Sequence, residues 1–366
     1  MQVHRATVHG HFPIYFGEDA LDLLLEEVEK VAPDRVFIVT DRTVEELHAE
    51  EVRENIPHAF QSELVVFNEG EGNKNLATLE HVAGDLIRAG ATERSLVLNL
   101  GGGVVLNLGG LAACLTGRGM KFAQIPTTFA AMSGVVNTNR QAIHFIGGRN
   151  LLGLFRSPEF VIIDPHFLES EPEAQIIADL VDFARNAMIL GGGAYQAALN
   201  ALSANDLHAQ PGLSRILEAA FLQSLELGRI DPSESRIPIF EAYGTSIGRA
   251  LEALSDGRLS HAEALYYGMH IAAEIARAHG VMSAGEFERH QALLNRIKIR
   301  APFPQHVRTD RLVYMLHGNN KTLADNFSLM LLESIGTPVE GDRGRVTVRD
   351  AEIAQAIEKV RHYALL

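Results

Sequence analysis

One cysteine, Cys114, stands in the whole chain of 366 residues. An intramolecular disulfide is therefore impossible, and a cysteine-rich metal site is excluded. A chain of this kind suits a reducing cytosol. No apolar run reaches the ~18 residues of a membrane span, and the opening MQVHRATVHGHF lacks the apolar stretch of a signal peptide. The expectation is a cytoplasmic protein with no membrane partner. Basic residues are in short supply, 32 Lys+Arg against 46 Asp+Glu, for a formal charge of −14. That balance argues against nucleic acid as a partner, while a local basic pocket for a small anion remains open. Internal repeats, low-complexity tracts and long linkers are also missing, as is the GxGxxG fingerprint of ordinary dinucleotide-binding folds.

What is present reads as a globular enzyme: 46% apolar and 21% charged residues, with length enough for two domains and a large core. RVFIVTD (35–41), ELVVFN (63–68), SLVLNL (95–100) and FAQIPTT (122–128) are buried-strand runs. TLEHVAGDLIRAGA (78–91) spaces Leu79, Val82, Leu86 and Ile87 on one helical face. Alternation of this kind predicts a parallel α/β sheet. After about residue 165 the texture turns helical, in EPEAQIIADLVDFARNAMIL, LSRILEAAFLQSLELGRI, GTSIGRALEALS and AEALYYGMHIAAEIARAHG. The predicted organisation is an N-terminal α/β nucleotide-binding domain over 1–160 and a mainly α-helical domain over 161–366, with ligands expected between them at the carboxyl ends of the strands.

GGGVVLNLGG (101–110) places bare backbone between a strand and a helix. Glycines there let a ligand approach closely, and the helix behind offers free N–H groups and a partial positive charge, which suits a pyrophosphate. A plain tight turn explains the same residues. Asp41, at the end of an earlier strand, could accept bonds from a dinucleotide ribose or serve as a helix N-cap.

GGGVVLNLGGLAACLTGRGMKFAQIPTTFAA resembles the dehydroquinate synthase superfamily, the NAD-dependent sugar phosphate cyclases, at Gly101, Gly102, Gly103, Val104, Gly110, Arg118, Gly119, Pro126, Thr127 and Thr128. Asn107 stands where Asp is common, as in the 2-deoxy-scyllo-inosose synthase subgroup, and RQAIHFIGGRNLLGLFRSPEFVIID (140–164) is similar to that subgroup's pattern. The likeness runs through Asp182, Asp231, Gly244–Gly248 and His261 to SLMLLESIGTP, nearly the whole chain. It implies a dehydroquinate synthase-like fold, a homodimer, and NAD held by Gly101–Gly103, Val104, Asn107, Thr127 and Thr128, with Asp41, Glu71 and Lys74 at the other nucleotide-contacting positions. It also implies a small phosphorylated sugar as substrate. The family's reaction oxidises a hydroxyl, eliminates phosphate, reduces the ketone and closes a carbocycle, with a divalent metal, zinc or cobalt, on a Glu and two His.

The residues depart from that pattern at the metal and the substrate. The Glu position is Asp182, the first His is Thr245, Arg249 replaces a further His, and the remaining ligand is His261. A neutral hydroxyl beside Asp and His is a poor zinc set, and a guanidinium pointing inward would repel a metal. The site is therefore predicted to be incomplete, with Glu241 and Glu263 as stand-ins should metal bind after all. His261 also reads as a plain helix N-terminal residue. Gly134, Ala242 and Ser224 replace an Asp, a Glu or Asn, and a Lys, and Asn320 replaces another Lys beside Lys321. Three further lysine positions are Arg140, Arg149 and Arg185. Their kept charge predicts, with Arg249 and Lys321, a site for an anionic ligand through bidentate pairing. The catalytic candidates are Asp182, Arg185, Glu241 and His261. Three readings stay open: an active NAD-dependent cyclase with an altered site, a catalytically silent binding or regulatory homologue, and an NAD-dependent alcohol dehydrogenase of the related iron-dependent type.

Overall fold

The computed structural model describes residues 2–6, 12–137, 139–146, 148–203, 212–230, 242–299, 301–318, 326–339 and 345–363. The chain divides into two compact units, Met1–Glu171 and Pro172–Leu366.

The first unit is built on β1 (Gln2–Ala6), β2 (Phe12–Phe16), β3 (Val36–Asp41), β4 (Ser62–Phe67), β5 (Leu96–Gly101), β6 (Lys121–Pro126) and β9 (Val161–Ile163). Their order in the sheet is β1-β2-β9-β6-β5-β3-β4. Six strands run parallel and β1 pairs antiparallel to β2 at the edge. The expected strands at 35–41, 63–68, 95–100 and 122–128 form the middle of this sheet. Helices α1 (Leu24–Val31), α2 (Arg42–Glu54), α3 (Leu76–Arg88) and α4 (Gly103–Leu115) connect them. Val36–Val39 and Leu96–Leu98 are buried on both faces, which is why these strands read as unbroken apolar runs. α4 is buried along most of its length, and Val105, Leu108, Leu111 and Ala112 join Phe37, Val97 and Phe122 in one core. A short helix α5 (Phe129–Ser133) and an antiparallel hairpin, β7 (Arg140–Phe145) with β8 (Gly148–Phe155), complete the unit.

The second unit is helical: α6 (Glu173–Leu190), α7 (Gly192–Ala201), α8 (Gly212–Ile230), α9 (Thr245–Leu254), α10 (His261–Ala278), α11 (Ala284–Leu294), α12 (Thr309–Gly318) and α13 (Asp350–Tyr363). Short antiparallel pairs, Asn326–Met330 with Arg345–Arg349 and Leu332–Ser334 with Thr337–Pro338, add strand structure that helical periodicity did not announce. Phe327 and Leu329 alternate inward there, and Gly336 turns the chain at φ 88°. No described helix is long and apolar enough to cross a membrane.

Candidate functional site

The direction of strand addition reverses between β3 and β5, since β4 joins one side of β3 and β5, then β6, build out the other. In open parallel sheets the crevice at such a reversal, beyond the carboxyl ends of the strands, is where ligands bind. The parallel register brings four loops to this edge: Asp41 after β3, Glu71–Lys74 after β4, Gly101–Gly103 after β5 and Pro126–Thr128 after β6.

Asp41 is the N-cap of α2, and its Oδ1 accepts from Val44 N at 3.0 Å. Burial raises its pKa, and Glu69 adds to the effect. The cap uses part of the carboxylate's acceptor capacity of about four lone-pair sites, so capping and ribose binding are compatible. Gly102 is the N-cap of α4 and brings no side chain to the first-turn amides, which are left for water or an anion. A Cβ on Gly101 would lie 2.6 Å from Val105 Cγ2, one on Gly102 3.2 Å from Thr128 Cγ2, and one on Gly103 3.3 Å from Val135 Cγ2. The protein's own packing thus already requires much of the bareness read from GGG. Val104 packs half-buried against the core. Thr127 N donates to Gly101 O at 3.1 Å, and Thr128 Oγ1 accepts from Ala131 N at 3.3 Å as the cap of α5, which ends at Gly134. Asn107 is a buried tie: Nδ2 donates to Gly103 O at 2.9 Å and Oδ1 accepts from Ala142 N at 3.2 Å, joining α4 to the hairpin.

Beside this lies a cationic group. Lys74 is 95% buried (5% exposed), and burial lowers its ammonium to about 8, with Arg140 and Arg149 adding to the fall and Glu71 opposing it. Glu71 is engaged elsewhere. His144 Nδ1 accepts from Asn150 N at 3.1 Å, so Nε2 carries the hydrogen and donates to Glu71 Oε1 at 2.8 Å. His144 N also donates to Lys74 O at 2.8 Å, fastening the β4 loop to the hairpin. His144 carried no signal in the sequence.

In the second unit Asp182 and Arg185 face each other one turn apart on α6, Arg185 Nη2 to Asp182 Oδ1 2.9 Å, with Arg185 buried and Asp182 half-exposed. On α9, Thr245 is the buried first residue, Arg249 is exposed one turn on, and Glu252 follows. His261, first residue of α10 and exposed, places Nδ1 2.8 Å from Glu252 Oε2. Glu252 escaped the sequence reading, although its i+7 spacing from Thr245 puts it on the same helical face. Glu263 is taken up by a capping box: its Oε2 accepts from Ser260 N at 2.8 Å, and Ser260 Oγ accepts from Glu263 N at 3.3 Å. Ser224 is half-buried on α8, and Glu241, Asn320 and Lys321 lie outside the described residues. Among the described residues no three His, Cys, Asp or Glu side chains gather as a metal ion needs. Asp182, Thr245 and His261 are a poor zinc set by their chemistry: Thr245 offers only a neutral hydroxyl, and Arg185 Nη2 stands 2.9 Å from Asp182 Oδ1.

The glycines of this segment have a separate reason to be there. A Cβ on Gly268 would meet Gly244 O at 2.2 Å and Gly248 N at 2.9 Å, so α9 and α10 cross backbone to backbone. Behind the crossing, Tyr243 Oη and His290 Nε2 lie 2.8 Å apart, fully buried, with His270 alongside.

Two family models match the chain, 3-dehydroquinate synthase N-terminal over residues 64–178 and 3-dehydroquinate synthase C-terminal over 181–322. The chain is 28% identical over 366 residues to 2-deoxy-scyllo-inosose synthase of Micromonospora echinospora, covering 98% of this chain and 92% of that one. It is 32% identical over 339 residues to 3-dehydroquinate synthase of Pelobacter propionicus, covering 88% and 93%. A crystal structure of 2-deoxy-scyllo-inosose synthase complexed with carbaglucose-6-phosphate, NAD+ and Co2+ matches with a TM-score of 0.83 at 25% identity, over 98% of this chain and 99% of that one. The 2-epi-5-epi-valiolone synthase of Streptomyces hygroscopicus, with NAD+ and Zn2+ bound, shares the fold at TM-score 0.73 and 21% identity over 99% and 100%. Both family models in sequence, and a sheet whose glycine loop sits at the reversal of strand order, lead to one conclusion: this chain belongs to the 3-dehydroquinate synthase family.

Proposed function

We propose that this protein is an NAD-binding sugar phosphate cyclase homologue whose catalytic site works without the family's divalent metal, and that it takes a phosphorylated sugar or related anion. The observation that carries the altered site is the Arg185–Asp182 ion pair at 2.9 Å, together with Thr245 and Arg249 standing in place of imidazoles on α9. For the cofactor, the support is the position of Asp41 and Gly101–Gly103 at the reversal of strand order. Bound there, NAD supplies reversible oxidation of a ligand hydroxyl. Gly103 and the next amides of α4 hold the pyrophosphate, Asp41 the ribose, and Thr127 and Thr128 shape the wall. Arg140 and Arg149, on the hairpin of the first unit, pair with a phosphate, and Arg185 and Arg249 are the cationic candidates of the second unit. Arginine keeps its proton, so it orients and does not shuttle. Lys74, near 8, is able to hold or release a proton around neutrality. The ion pair of Asp182 with Arg185 and the hydrogen bond between His261 and Glu252 support a second reading, a member that binds the same ligands without turnover. A homodimer follows from the family resemblance, and sedimentation of a monomer at micromolar concentration would count against it.

The test begins with elemental analysis and mass spectrometry of the purified protein. Little zinc or cobalt and a bound dinucleotide are expected, and Thr245→His with Arg249→His should raise metal occupancy. Stoichiometric zinc that disappears in His261→Ala would overturn the metal-free reading. NAD titration of the parent against Gly102→Val, with melting curves to confirm folding, tests the cradle; equal affinity removes it.

A further inference from the structure

Glu171 is the last residue of the first unit, and the second begins at Pro172. Its Oε2 accepts from Phe129 N at 2.8 Å. Its Oε1 is buried and has no hydrogen-bond partner among the described residues. Phe129 directly follows Thr127 and Thr128, and the Thr128 methyl stands 3.2 Å from the Cβ position of Gly102. One carboxylate thus ties the end of the first unit's chain to the loop that faces the glycine cradle.

We infer that Glu171 is a positioning residue for this loop, holding Phe129 and with it Thr127 and Thr128, and that binding of an anionic dinucleotide at Gly101–Gly103 draws a proton from solvent onto it. The inference rests on the NAD reading above. An ionised carboxylate with a bare buried oxygen is costly, and a second anion close by raises that cost. Protonation at Oε1 removes the charge and leaves Oε2 free to keep accepting from Phe129 N. Burial has already raised the group to about 7, opposed only by the Phe129 bond, so a proton is available at neutral pH.

The neighbouring ionisable groups behave differently. On the turn before Glu171, His166 lies 2.9 Å from Asp164 Oδ1 and 2.9 Å from Glu51 Oε1. The Asp164 bond raises it to about 9, so it stays charged below that. His48, whose Nε2 lies 2.7 Å from Ser170 Oγ, is lowered by burial. Glu169 and Glu173 flank Glu171 in sequence and are exposed. Lys74 titrates near 8 and weakens anion binding on its own account in any variant, so the measurement is a difference between proteins.

The experiment is calorimetric titration of the full chain with NAD in PIPES and in Tris, at pH 6, 7.5 and 8, for the parent and Glu171→Gln. A group near 7 raised by one unit on binding weakens NAD about fivefold from pH 6 to pH 8 and takes up about half a proton at pH 7.5. The Gln variant should match the parent at pH 6, bind about fivefold tighter at pH 8, and take up about half a proton less at pH 7.5. Should Gln fail to fold, Glu171→Ala is compared with the parent in the same two buffers. An identical pH profile in both proteins, or no proton uptake by the parent, overturns the inference while leaving the cofactor assigned. No binding of NAD at any pH overturns the cofactor reading and this inference with it.

Discussion

His290→Gln should make the protein markedly less sensitive to acid. His270 and His290 are buried in the second unit, and burial lowers His270 to about 4 and His290 to about 3, the latter helped by the charge His270 would carry. Both folded values lie below the ~6.5 of an unfolded histidine. Between those limits the unfolded chain binds protons that the folded chain refuses. The stability is therefore complete above about pH 6.5 and falls as the pH falls toward 4. Going from pH 7 to pH 5 costs about 2 kcal/mol for each imidazole and about 4 kcal/mol for the pair, a large share of a typical ~5–15 kcal/mol. Glutamine at 290 keeps a hydrogen-bonding group opposite Tyr243 Oη, now 2.8 Å from His290 Nε2, and carries no titratable nitrogen. The assay is urea unfolding at both pH values followed by tyrosine emission. The chain has no tryptophan and 7 tyrosines, all but Tyr15 in the second unit, so the signal reports the region in question. The variant should lose about 2 kcal/mol less than the parent between pH 7 and pH 5. Equal losses would mean that His290 is not excluding protons, and the reasoning fails.

Gly268→Ala should cost about 3 kcal/mol or prevent folding, because its Cβ would lie 2.2 Å from Gly244 O, a backbone atom that cannot swing away; a Tm unchanged from the parent would refute the close crossing. Lys74→Met should stabilise the fold by about 1–3 kcal/mol at pH 7 by removing a buried charge, and should weaken binding of NAD or inorganic phosphate; a loss of stability would show that the ammonium has a strong partner. Glu263→Ala should cost about 1 kcal/mol by breaking the capping box and leave metal content unchanged in elemental analysis.

Length, charge and a lone cysteine bounded the class of protein, and period alone revealed the central strands and the helices after residue 165. Those features depend on local burial patterns, which a chain carries in its order of residues: Val36–Val39 and Leu96–Leu98 are apolar because both their faces are covered. The glycine loop and the places of Asp182, Thr245 and His261 were also legible, through a motif. What each side chain touches was not. GTSIG and YYGM keep their glycines because two helices meet at Gly244, Gly248 and Gly268, a contact between residues twenty and more apart in sequence. Asn107 holds β7, Glu263 closes a cap, and His261 answers to Glu252, each a choice among partners that only packing presents. Glu171 carries no signal in ESEPEAQ; folding sets it against the Phe129 amide, and burial, which no local pattern encodes, is what moves its proton into the neutral range.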